Sequence, residues 1–103
     1  MVRIMNRKEE DEMLRIKRCS QSGSAEKSDV LVVMEPREPG NGTKVVVKSP
    51  VFMEFGRHMV ATVESVLKEQ DIGDVAVLLE DKGALEFTLR ARCESALRRA
   101  LIE

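Results

Sequence analysis

Three short apolar runs, Val30-Leu31-Val32-Val33-Met34, Lys44-Val45-Val46-Val47-Lys48 and Val75-Ala76-Val77-Leu78-Leu79, constrain this chain more than any other feature. Each is rich in β-branched residues and bounded by turn formers, which commits the chain to a sheet. Pro36, Pro39, Gly40, Asn41 and Gly42 separate the first run from the second, and Ile72-Gly73-Asp74 leads into the third. Two helices are expected between and after them. Phe52, Phe55, Met59, Thr62, Val63, Val66 and Leu67 recur at three- and four-residue intervals, with Glu54, Arg57, Lys68 and Glu69 off the stripe. Beyond the Asp81-Lys82-Gly83 turn, Leu85, Leu89, Cys93, Ala96, Leu97 and Ala100 mark a second apolar face. The spacing therefore predicts an α+β fold, a small mixed β-sheet in the order strand-strand-helix-strand-helix, with two helices packed on one face. The first strand is expected to pair antiparallel with the second through the Gly-rich loop. The second and third are expected to form a parallel crossover around the first helix.

With 103 residues there is room for one modest core and one binding surface, and little room for a large substrate cleft beside them. The 17 basic and 18 acidic residues nearly cancel. Phe52, Phe55 and Phe87 are the only aromatic residues, so nucleic acid is not an expected partner. No apolar run approaches the length of a membrane span and no signal peptide is visible, which points to a cytoplasmic protein without membrane contact. Cys19 and Cys93 lack any metal-ligand spacing and read as two reduced thiols.

No catalytic constellation emerges. His58 stands alone on the first helix, Glu80 and Asp81 point apart at a strand end, and the single Gly of Lys82-Gly83 is not a phosphate loop. Asp81 reads as a helix cap. Arg90, Arg92, Arg98 and Arg99 give the second helix a cationic side; the default reading is a solvated face, the sharper one a dock for a phosphate-bearing arm or an acidic partner. Ser20, Ser22, Ser24 and Ser28 have no triad partner, but the Ser- and Gly-rich stretch from Cys19 to Ser28 reads as exposed and mobile. A serine there suits the passive acceptance of a transferred group. Residues 1–22 are expected to be a flexible extension, with residues 23–103 forming the domain. The charged stretch Arg7-Lys8-Glu9-Glu10, whose codons can resemble a ribosome-binding site, points to a natural start at Met13.

The run Glu80-Asp81-Lys82-Gly83-Ala84-Leu85-Glu86, continuing through Leu89-Arg90-Ala91-Arg92-Cys93-Glu94 to Leu97-Arg98-Arg99-Ala100, resembles the citrate lyase acyl carrier protein family, the gamma chain of citrate lyase. Val51 to Gly56 is similar to the start of that family's first helix, and Gly23 to Val30 to its modification segment. The resemblance implies a non-catalytic carrier with a covalently attached 2'-(5''-phosphoribosyl)-3'-dephospho-coenzyme A arm, joined to a serine through a phosphodiester. It implies that the arm's thiol carries acetyl and citryl thioesters between the citrate lyase alpha and beta subunits, while citrate is cleaved to acetate and oxaloacetate. A prosthetic-group transferase is implied as a further partner. In the family the modified serine is followed by one small residue and then Asp. An ungapped match puts Lys27 at that position, so Ser28, directly before Asp29, is the expected attachment site and Ser24 the second choice. Citrate or citramalate as substrate is left to the partner subunits. A small regulatory or adaptor α+β domain that binds a protein partner is the alternative.

Overall fold

The computed structural model describes residues 14–102. Among them, strands β1 (Ser20–Gly23), β2 (Val30–Pro36), β3 (Lys44–Lys48) and β4 (Val75–Asp81) form one sheet, with helices α1 (Phe52–Glu69) and α2 (Glu86–Leu101) following β3 and β4. Alternation governs the sheet. Val30, Val32 and Met34 of β2 and Val75, Val77 and Leu79 of β4 point to one face and are buried, while Leu31, Val33, Ala76 and Leu78 between them remain half-exposed on the other. The buried face meets Met59, Val63, Val66 and Leu67 of α1 and Leu89, Cys93, Ala96, Leu97 and Ala100 of α2 in a single core. This is the α+β arrangement expected, with both helices on one side of a mixed sheet.

The strand order is β1-β2-β4-β3, with β1–β2 and β2–β4 antiparallel and β3–β4 parallel. The parallel crossover through α1 is as expected. The pairing of Val30–Met34 with Lys44–Lys48 is not: β4 lies between them, with Val32 opposite Leu79 on one side and Val47 opposite Leu79 on the other. The reason lies in the connection. Residues 37–43 have ample length to step over one strand, a gap of about 10 Å. The loop is fastened to the start of β4 instead of closing a hairpin. Arg37 donates its N–H to the Asp74 carbonyl (2.9 Å), and the N–H groups of Gly40 and Gly42 donate to Asp74 Oδ1 at 3.1 and 2.8 Å. β4, apolar on both faces, thereby takes an inner position, where both of its edges are hydrogen-bonded.

A second correction concerns Cys19 to Ser28, expected to be mobile. Ser20–Gly23 is an ordered edge strand, and Ser22 is buried beneath α2. Ser20 Oγ donates to the Ala96 carbonyl (2.6 Å), and Arg99 Nη1 donates to the Gln21 carbonyl (2.7 Å). Serines stand here in place of an apolar stripe, and the facing helix contributes the small buried residues Ala96 and Ala100. Upstream, Ile16 is buried, Leu14 bridges to Ile72, and Arg15 Nε donates to Asp74 Oδ2 (2.6 Å). The expected boundary between residues 22 and 23 therefore falls inside β1. The expected start at Met13 and the extension before it lie outside the described residues.

Candidate functional site

The link between β1 and β2 presents the serine-bearing turn at one end of the molecule. Gly23 closes β1 with φ +89°, and a Cβ there would lie 1.9 Å from the Val30 carbonyl oxygen, so only glycine fits this start of the turn. Ser24 Oγ donates to Asp29 Oδ2 (2.8 Å) and accepts the Glu26 N–H (3.3 Å), and the Asp29 N–H returns to the Glu26 carbonyl (3.0 Å). Asp29 is the hub. Arg92 of α2 reaches across to it with two parallel bonds, Nε to Oδ1 and Nη2 to Oδ2, both 3.1 Å, and the Val30 N–H donates to Oδ1 (2.7 Å). The Arg92 bonds, then the Val30 N–H and the Ser24 hydroxyl, hold the Asp29 carboxyl down to about 2.

Ser28 sits differently from Ser24. Its φ is +69°, it is exposed, and its backbone is fastened on both sides: its own N–H donates to the Lys82 carbonyl (2.8 Å), and the Lys82 N–H donates to the Asp29 carbonyl (2.9 Å). These bonds extend the β2–β4 ladder one step past Val30 and Asp81. The Ser28 side chain makes no hydrogen bond within the described residues, whereas the half-buried Ser24 hydroxyl is taken up by Asp29. Two lysines flank Ser28, Lys27 in sequence and Lys82 across the ladder; both are exposed.

The other candidates resolve into structural duties. Asp81 is buried and does not cap α2, whose N-cap is Leu85 without a side-chain bond. It accepts the Ala84 N–H (3.0 Å) and the Ser49 hydroxyl (2.7 Å), so it ties the entry of α1 to the entry of α2. His58 Nε2 lies 2.9 Å from Glu86 Oε1, which bridges the same two helices. Of the cationic side of α2, Arg90 pairs with Glu69 and Glu94, Arg92 with Asp29, and Arg99 with the β1 backbone, so these three serve the fold instead of an open dock. Burial pushes the Cys93 thiol up to about 12, which leaves it protonated and inert, while Cys19 is exposed. No group of three or more His, Cys, Asp or Glu side chains that could hold a metal occurs among the described residues. No helix among them is long and apolar enough to cross a membrane.

Arg92 is the residue whose part in the turn the sequence does not disclose. It stands 63 positions from Asp29, and only the packing of α2 against the sheet brings the two together.

Comparison with known proteins supplies independent evidence. A family model described as malonate decarboxylase delta subunit (MdcD), an acyl carrier family, matches residues 17–100. The citrate lyase acyl carrier protein of Treponema denticola is 40% identical over 87 residues, which span 84% of this chain and 97% of that one. Its counterpart in Halothermothrix orenii is 31% identical over 87 residues, 84% of this chain and 90% of that one. A crystal structure of a Thermus thermophilus protein shares the fold with a TM-score of 0.55 at 8% identity, over 84% of this chain but only 16% of the larger one.

Proposed function

Because the chain belongs to the citrate lyase acyl carrier protein family and is a non-catalytic carrier subunit of that type, we propose that Ser28 bears a covalently attached 2'-(5''-phosphoribosyl)-3'-dephospho-coenzyme A arm. When bound, that arm supplies a terminal thiol that holds acetyl and citryl groups as thioesters while citrate is cleaved to acetate and oxaloacetate.

The observation that carries the assignment is the contrast between the two serines. The Ser28 hydroxyl is exposed and, among the described residues, unshared, on a backbone locked at both neighbouring amides, and Ser24 spends its hydroxyl on Asp29. A transferase needs the first combination, since it must reach the acceptor oxygen and supplies its own base. Lys27 and Lys82 put two ammonium groups beside the negative charge that a phosphodiester on Ser28 would bring, a favourable although solvent-screened arrangement. The Asp29–Arg92 pair holds the turn against α2, so the arm swings from a fixed pivot. Tethering raises the local concentration of the carried group at each partner site. The partners in this reading are the alpha and beta subunits of citrate lyase and a prosthetic-group transferase, in the cytoplasm.

The test is intact mass measurement of the chain co-expressed with a citrate lyase prosthetic-group pathway and both larger subunits. A single phosphoribosyl-dephospho-coenzyme A mass increment, together with co-purification of the two subunits, is expected. An unmodified chain, under conditions that load an established carrier, would overturn the reading.

A further inference from the structure

We propose that the cleft between the N-terminal ends of α1 and α2 is the resting site of the arm's neutral distal portion, the stretch of methylenes and amides that ends in the thiol. The inference rests on the assignment of Ser28 and deepens it. The cleft has a volume of about 490 Å³, within the ordinary range for small-molecule sites. Val51, Phe55, Met59, Ala84 and Leu89 supply its apolar wall, and His58 and Glu86 stand beside it with polar atoms for amide groups.

Continuity with the attachment point says what occupies it. The Ser28 N–H is bonded to the carbonyl of Lys82, and the next two residues, Gly83 and Ala84, already line the cleft. Gly83 has no side chain, and the position its Cβ would take has nothing within 4 Å, so no neighbouring atom crowds the turn between Lys82 and the cleft on that side. Phe55 and Leu85 line the same opening and are 53% and 62% exposed, an apolar surface that an amphipathic arm would cover. The groove between the C-terminal halves of the helices, lined by Glu69, Gln70, Glu94 and Arg98, has no such tie to Ser28 and is more polar.

The loaded and unloaded carriers distinguish the cleft from free swinging. Comparison of their amide NMR spectra is expected to show shifts at Val51, Phe55, Met59, Ala84 and Leu89. In a Cys19→Ser background the arm carries the accessible thiol. Its alkylation by iodoacetamide is expected to speed up roughly threefold in Phe55→Ala and Leu85→Ala, because a resting thiol reacts only from its undocked population. An adduct on Ser28 with shifts confined to residues 24–30 and 82, and alkylation unchanged in both variants, would overturn the cleft and leave the carrier reading intact. No adduct on Ser28 would overturn both the cleft and the Ser28 assignment on which it rests.

Discussion

The Asp29 carboxylate receives four hydrogen bonds from three residues, and this density of donors explains why a carboxyl at the edge of a turn is held near 2 instead of its ordinary 3.8. A depressed folded value means the charged form is favoured by folding. The resulting stability is fully present above about pH 3.8 and is lost as the pH falls towards 2. Asp29→Asn should therefore be less stable than wild type at neutral pH, with the difference closing across that window. Urea denaturation at several pH values measures it, and a gap that is constant from pH 5 to about 2 would contradict the hub. The sequence shows Ser28 directly before Asp29 at the entry of a strand, and it is the family resemblance that nominates the serine from that spacing. It does not show Arg92, because a bidentate pair between residues 63 apart depends on helix placement that no local pattern encodes. Nor does it show that, among the described residues, Ser24 is engaged and Ser28 is not, since the two hydroxyls differ only in the turn that carries them.

Among the elements, β2, β4 and both helices are legible because each carries an apolar period that burial enforces. β1 carries none. Its inward residues are serines, one of them bonded to the Ala96 carbonyl of α2, so hydropathy reports a loop where hydrogen bonding makes a strand. The β1–β2 connection depends on Gly23, whose φ of +89° and approach to the Val30 carbonyl exclude a side chain. Gly23→Ala should cost more than about 1 kcal/mol and loosen the turn that holds Ser28. Chemical denaturation with hydrogen exchange at residues 20–23 would check this. A variant with wild-type stability and protection would show that β1 does not depend on that approach.

At the level of the whole molecule, one end gathers what a carrier requires. The β1–β2 turn, the β4–α2 turn and the entries of both helices meet there, joined by the Ser28–Lys82–Asp29 bonds and by Asp81. The order of the elements after β1 and the parallel crossover could be read from the sequence; the insertion of β4 between β2 and β3 could not, because a loop of turn formers is equally compatible with a hairpin and with a step over one strand. The family is legible from the stretch around Asp81-Lys82-Gly83-Ala84-Leu85 and α2, the same residues that build this end. Trypsin separates the two candidate serines, since cleavage after Arg18, Lys27 and Arg37 leaves Ser24 on residues 19–27 and Ser28 as the sole hydroxyl of residues 28–37. Peptide mass spectrometry of the loaded carrier is thus the most direct test. The phosphoribosyl-dephospho-coenzyme A increment should lie on residues 28–37, vanish in Ser28→Ala and persist in Ser24→Ala; an increment on residues 19–27 would contradict the central assignment.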